Sequence, residues 1–241
     1  DIIQHSSNIG TAKIALMMGE KRLYQVFRRF GYGQKTGIGL PDESRGILRE
    51  TKNWDTLSIT RFPIGQGISV TPPQMVQAYS AIANGGELIQ LHLVERLENP
   101  ATGAVTRTEV SSRGMVARSY AIQQITQAMK RVTTKDGTAP KAAIPGYEVA
   151  GKTGTSQKLI DGSYVGHRKY VSSFVGFVPA DAPEFVLLVT ADEPSNGKYY
   201  GGTVAAPVFK RIAEQTLRYL DIPPRPEAGV GTQVAQRQGQ H

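Results

Sequence analysis

Ala150-Gly151-Lys152-Thr153-Gly154-Thr155 is the stretch on which the reading of this chain turns. It ends a β-patterned run, 147 to 155, that begins after Pro145-Gly146. Two more runs follow, 170 to 178 and Phe185 to Ala191, joined by the turn Pro179-Ala180-Asp181-Ala182-Pro183. Phe185-Val186-Leu187-Leu188-Val189 is apolar at every position, which predicts a central strand covered on both faces. A last helix is expected to carry Phe209, Ile212, Ala213, Leu217 and Leu220 toward this sheet.

Upstream the pattern is mostly helical. Ile9, Ala12 and Leu16 recur at helical spacing until Gly19, and Leu23, Val26, Phe27 and Phe30 repeat it until Gly31. Residues 31 to 70 are rich in Gly, Pro, Asp and Ser and read as loop, with Gly65-Gln66-Gly67 in a structural role. Thr71-Pro72-Pro73-Gln74 predicts a capping box with proline in the first turn, and Asn84-Gly85-Gly86 a terminator. Residues 88 to 97 and 105 to 110 read as a strand pair about a turn at Asn99 to Gly103. A helix after Ser119 has Ile122, Ile125, Met129 and Val132 on one face. Asp1 to His5 looks like the end of a helix entered from upstream.

The chain has 241 residues, enough for one core, so one domain portion is expected over 1–222. Residues 223–241, rich in Pro, Gly and Gln, read as a disordered tail. Even the apolar run Phe185 to Val189 is far below the roughly 20 residues that span a bilayer. There are no cysteines, which excludes disulfides and thiolate metal sites. His5, His92, His167 and His241 have no metal-ligand spacing, and His167 is expected on a loop rim; no metal or cofactor is expected. Lys and Arg exceed Asp and Glu by 28 − 20 = 8. Five of these cations (Lys21, Arg22, Arg28, Arg29, Lys35) fall between 21 and 35 with no acid among them. That is a solvated helix face or a surface attracted to an anionic polymer or lipid. No aromatic-interleaved basic strand or zinc-finger spacing points to nucleic acid.

Ser6-Ser7-Asn8, Gly65-Gln66-Gly67, Val70-Thr71-Pro72-Pro73-Gln74, Ile82-Ala83-Asn84-Gly85-Gly86 and Ala150 to Thr155 occur in this order. The ordered set resembles the transpeptidase domain of class B penicillin-binding proteins, whose motifs are S-x-x-K, S-x-N and K-T-G. Asp192-Glu193-Pro194, Tyr200-Gly201-Gly202 and Ala206-Pro207-Val208-Phe209 look like the division-type branch. The resemblance covers residues 1 to about 224, roughly the C-terminal half of such a domain.

The resemblance implies an α+β fold, an antiparallel sheet flanked by helices as in penicillin-binding proteins and β-lactamases, completed by strands N-terminal to the serine motif. One of those strands is expected beside Phe185 to Ala191. It also implies a D,D-transpeptidase that cross-links peptidoglycan stem peptides at the septum and is a target of β-lactams. The partners would be stem peptides, β-lactams and cell-division proteins. The location would be the periplasmic face of the inner membrane, anchored by an N-terminal transmembrane helix outside this chain. The nucleophilic serine and its lysine base would also lie upstream of Asp1, so the chain by itself is expected to be inactive.

By the same resemblance Ser6 bridges that lysine base and Lys152, passing the proton on toward the leaving amine. Asn8 positions the base and donates to the substrate carbonyl. Lys152 supplies positive potential, and the Thr153 and Thr155 hydroxyls bind the substrate's terminal carboxylate. Gly154 lets substrate lie against the strand, and the Thr155 N–H is one oxyanion donor.

Rival readings stand beside this one. Ser6-Ser7-Asn8 are also preferred helix caps. Gly146 to Thr153 matches the P-loop pattern G-x-x-x-x-G-K-[ST], which requires a strand before and a helix after. Ser195-Asn196-Gly197-Lys198 is the one S-x-x-K, but Pro194 and Gly197 oppose the helix it needs. A penicillin sensor or D,D-carboxypeptidase would share the fold.

Overall fold

The computed structural model describes residues 1–158, 160, 169–195 and 197–225. The loop around Gly162 and His167, Asn196, and residues 226–241 with His241 lie outside the described residues. The elements run α1 (Asn8–Met18), α2 (Glu20–Arg29), α3 (Ser58–Arg61), α4 (Pro72–Ala83), β1 (Glu87–Ile89), β2 (Arg96–Glu98), β3 (Val105–Arg107) and β4 (Ser112–Met115). Then come α5 (Ser119–Lys130), β5 (Ala150–Gln157), β6 (Tyr170–Val178), β7 (Phe185–Asp192), α6 (Gly201–Val204) and α7 (Ala206–Tyr219). The α+β expectation is met.

The sheet that matters is β5-β6-β7, antiparallel throughout, with Lys152 opposite Val175 and Phe174 opposite Val189. One face is covered by α7, whose stripe Phe209, Ala213 and Leu217 is buried against Phe174, Leu187 and Val189. Phe174 and Phe209 meet edge-on at 4.8 Å, the geometry that aromatic quadrupoles favour. The other face receives Tyr79 and Ile82 of α4 and Ile125 and Met129 of α5, packed against Ala150, Phe177 and Val186. Ile212 and Leu220 do not join the α7 stripe; both stay exposed, because the i, i+4, i+8 row through 209 turns them aside.

β7 has both faces covered, as its unbroken apolar run requires, yet it is an edge strand. Among the described residues nothing pairs with its outer side. β5 is the other edge.

Helix α4 forms as its sequence dictates. Thr71 Oγ1 accepts from Gln74 N at 3.3 Å, and Gln74 Oε1 accepts from Thr71 N at 2.9 Å, closing the capping box. Gly85 and Gly86 follow at φ 87° and 111°. Helix α1 departs from the reading. Ala15 is its buried residue, against Leu23 and Ile59, while Ile9 and Leu16 are 72% and 56% exposed. Apolar side chains fall on every face of the helix, with Thr11 and Lys13 among them, so periodicity could not select a face, and the packing of α2 and α3 does.

Two further boundaries move. The loop 31–70 contains α3, set by Asp55, whose Oδ1 accepts from Leu57 N and Ser58 Oγ. The strand expected at 88–97 is split: β1 pairs with β4, and β2 pairs with β3 around the Asn99 turn.

Residues 223–225, expected to open the tail, are held. Tyr147 donates its hydroxyl to Ile222 O at 2.6 Å, and Arg225 N donates to Gly146 O at 2.9 Å. The Arg225 guanidinium pairs with Asp181 at 2.5 Å and Glu148 at 3.5 Å, and Lys130 reaches the same two carboxylates. The hydrogen bond shared with Glu148, and then that from Lys130, hold the Asp181 carboxyl at about 2. A carboxyl depressed by folding adds stability above its unfolded value near 4, and the gain disappears as the pH falls toward 2. In the full-length protein Arg225→Ala should therefore cost about 0.5–1 kcal/mol at pH 7, given the solvent around the pair. Urea unfolding at pH 7 and pH 2 checks it: the difference between variant and wild type should be much smaller at pH 2, where the carboxyl is about half protonated, and an equal difference at both contradicts the pairing.

Candidate active site

Asp1 to Ser7 form the end of a helical turn. Ser7 N donates to Ile2 O at 2.9 Å and Ser6 N to Ile3 O at 3.3 Å, with Ser6 left-handed at φ 53°. This is the Schellman arrangement, in which the left-handed position is commonly glycine. A serine there carries backbone strain, of the kind that concentrates at functional sites. Ser7 then caps α1, its Oγ accepting from Gly10 N at 3.1 Å. Capping and site chemistry are thus divided between adjacent serines, which leaves the Ser6 hydroxyl free to face the sheet. Gly10 admits the turn, since a Cβ there would stand 2.7 Å from Ile2.

Lys152 lies in β5 and reaches that hydroxyl across 146 residues of chain. Its Nζ donates to Ser6 Oγ at 2.8 Å, to Thr153 O at 2.9 Å and to Thr153 Oγ1 at 3.2 Å. All three ammonium hydrogens are occupied. Beneath it lies a largely apolar cavity of about 200 Å³, lined by Ile3, Phe30, Tyr32, Ala78, Tyr79, Ile82, Ile125 and Met129. Burial beside that cavity pushes the Lys152 ammonium down to about 8. The two phenols cannot compensate its charge. Burial pushes Tyr32 up to about 12 and Tyr79 higher still, so both remain neutral.

Thr155 is exposed, and its Oγ1 accepts from Gly201 N at 3.1 Å, which leaves its proton available to an anion. Gly154 is demanded by the fold as well as by access to the strand: a Cβ there would stand 2.4 Å from Ser173 Oγ on β6. Gly201 meets the same limit, 2.2 Å from Ser173 O and 2.5 Å from Gly154 O. The glycines let α6 lie directly on the strand that carries Lys152. Asn8 sits exposed in the first turn of α1, and its side chain makes no hydrogen bond among the described residues.

Lys152, Thr153 and Ser6 are thus brought together, with Gly154 and Thr155 on the same strand. Two features escaped sequence reading. Thr138 Oγ1 lies 3.2 Å from Thr153 Oγ1. Tyr170, Tyr199 and Tyr200 form a row beside Gly201, the first pair stacked at 4.2 Å and the second tilted at 4.5 Å between centroids. The pair Tyr199-Tyr200 before two glycines was the available signal; Thr138 had none.

The P-loop alternative is excluded by local structure. Lys152 stands inside a strand, and β5 continues to Gln157 where a P-loop needs a helix N-terminus. Ser195, Gly197 and Lys198 lie outside any helix, so the alternative S-x-x-K does not stack lysine on serine. Among the described residues no group of three His, Asp or Glu could hold a metal, and no helix is long and apolar enough to cross a membrane.

Comparison with known proteins bears on this geometry. The penicillin binding protein transpeptidase domain family matches residues 1–214. The chain is 37% identical over 230 residues to the stage V sporulation protein D of Bacillus subtilis, covering 93% of this chain and 35% of that protein. It is 35% identical over 224 residues to the peptidoglycan D,D-transpeptidase FtsI of Escherichia coli, covering 92% and 36%. Penicillin-binding protein 3 of Mycobacterium tuberculosis, solved with ampicillin, superposes with a TM-score of 0.86 at 34% identity over 95% of this chain and 52% of that one. The chain belongs to the penicillin-binding protein transpeptidase family. Its relatives are class B penicillin-binding proteins, and it spans about a third to a half of their length.

The Lys152 environment makes a direct prediction. Amine-reactive labelling followed by peptide mapping, repeated from pH 6 to 11, should give a Lys152 midpoint near 8. A midpoint in the ordinary lysine range would show that the cavity does not desolvate the ammonium.

Proposed function

We propose that the chain forms the C-terminal part, residues 1–222, of the transpeptidase domain of a serine D,D-transpeptidase. In this reading the enzyme cross-links peptidoglycan stem peptides in septal wall synthesis and is acylated by β-lactams. The observation that carries the reading is the 2.8 Å hydrogen bond between Lys152 and Ser6, the lysine of one motif and the serine of the other.

The chemistry follows from that contact. A serine outside this chain attacks the carbonyl of the penultimate residue of a stem peptide, and its proton passes to a lysine one helical turn away. Ser6 takes a proton from that lysine and gives its own to the departing amine, with Lys152 holding the hydroxyl oxygen in place. The C–N bond breaks as the acyl–serine ester forms. A second stem peptide's amine then attacks the ester, gives up its proton by the reverse path, and releases the serine.

In this reading the Thr155 N–H, on the edge of β5 that is unpaired among the described residues, stabilises the oxyanion, an effect of about 3–4 kcal/mol in comparable sites. Thr153 and Thr155 donate to the terminal carboxylate, and the Lys152 charge draws it in. Asn8, exposed in this chain, turns to the base and the substrate carbonyl when the serine segment is in place. The site works at the extracytoplasmic face of the membrane, on an N-terminal anchor outside this chain and among cell-division proteins.

Incubating the full-length protein with a fluorescent penicillin and mapping the adduct by mass spectrometry tests the reading. Label should fall on a serine N-terminal to Asp1, and Ser6→Ala and Lys152→Ala should each slow acylation by about 10²–10⁴-fold. The 241 residues alone should not label. Label on Ser195, or near-normal acylation of either variant, would sink it.

A further inference from the structure

The segment between α5 and β5 is built so that Thr138 has one position. Ala139 N donates to Val132 O at 2.9 Å, and Gly137 N to Thr134 O at 3.0 Å. Val132, Ala139 and Ala142 are fully buried. Thr133 Oγ1 lies 3.1 Å from both Lys130 O and Val149 O, fastening the loop to the start of β5. A Cβ at Gly137 would stand 2.2 Å from Val132 O, and one at Gly202 would stand 2.0 Å from Thr138 O. The backbone of Thr138 is therefore confined from both sides. Its hydroxyl meets Thr153 Oγ1 at 3.2 Å.

A hydroxyl has one proton and two acceptor sites. The Lys152 ammonium, which can only donate, takes one acceptor site of Thr153 Oγ1. Thr138 engages a second position and so fixes the rotation of the Thr153 hydroxyl. We propose that Thr138 is a positioning residue for Lys152: by holding the Thr153 hydroxyl with a lone pair toward Nζ, it keeps the ammonium charged and aimed at Ser6.

The inference rests on the transpeptidase reading and extends it to a residue outside the three motifs. Without the Thr138 hydroxyl the Thr153 O–H is free to turn and donate to a neutral Lys152 amine, which its held rotation otherwise prevents. A hydrogen bond made only to the neutral amine favours that form, so Lys152 titrates at lower pH. Acylation that needs charged Lys152 then falls away earlier on the alkaline side. The other ionisable groups on the elements and turns packed around Lys152 are Asp1, His5, Tyr32, Tyr79, Tyr120, Lys130, Arg131, Lys135, Asp136, Tyr170, Lys198, Tyr199 and Tyr200. Among the described residues none pairs with it; Tyr32 and Tyr79 stay neutral, and Lys130 is taken by Glu148 and Asp181.

The test measures the second-order acylation rate of the full-length protein with a fluorescent penicillin from pH 5 to 10. Thr138→Val removes the hydroxyl at nearly constant shape, Thr138→Ser restores it, and Lys152→Ala is the reference. The alkaline limb should move down by about one pH unit in Thr138→Val, since a hydrogen bond to a charged group is worth about that much. Acylation should accordingly drop roughly 10-fold more at pH 8.5 than at pH 6. Thr138→Ser should follow the wild-type profile. If valine prevents folding, Thr138→Ala makes the same deletion and must show the same shift. An unchanged limb in the hydroxyl-free variant, with Lys152→Ala inactive, overturns the role of Thr138 alone. Normal acylation in Lys152→Ala overturns the transpeptidase reading and this inference with it.

Discussion

An ammonium group placed over an apolar cavity costs free energy unless every hydrogen finds an acceptor, and this constraint organises the site. Lys152 meets it with Ser6 Oγ, Thr153 O and Thr153 Oγ1. Two of these acceptors come from its own strand. The third comes from the other end of the described chain, so this contact joins the packing of Ile3 in tying the N-terminal turn to the sheet. These three acceptors keep the charge at neutral pH, while burial lowers the pKa and the neutral tyrosines nearby offer no counterion to offset it.

Close backbone approach is the second constraint. Gly151, Gly154, Gly201 and Gly202 each stand where a Cβ would come within 2.6 Å of a neighbour: the Phe174 ring, Ser173 Oγ, Ser173 O and Thr138 O. Together they bring α6, β5 and β6 into contact, and among the described residues no strand pairs with the outer edge of β5. That edge presents Lys152, Thr153 and Thr155 side by side, with the tyrosine row rising beyond Gly201.

Much of this was legible before any coordinates. The β6 boundaries, the capping box of α4 and the stops at Gly31 and Gly85 all follow from local chemistry, so the residues announce them. The site was legible as ordered motifs, and the structure brings Ser6 and Lys152 into contact. What escaped depended on tertiary choice. Helix α1 carries apolar side chains on every side, so its sequence could not say that Ala15 and not Ile9 or Leu16 would be buried. The Asp55 turn leads into a four-residue helix too short to show a period. Thr138 carries no motif; its role arises from a loop folded back on β5 through contacts that sequence spacing does not encode. The docking of Arg225 on Asp181 and Glu148 is likewise a matter of where the chain returns.

The central claim is that Ser6 and Lys152 act as one unit. A double-mutant cycle on the acylation rate of the full-length protein, with Ser6→Ala, Lys152→Met and the pair, tests it most directly. Residues on one proton path are not additive. The double variant should therefore acylate about as slowly as the slower single variant. If the two losses multiply, Ser6 and Lys152 contribute independently and the shared hydrogen bond is not the basis of the chemistry.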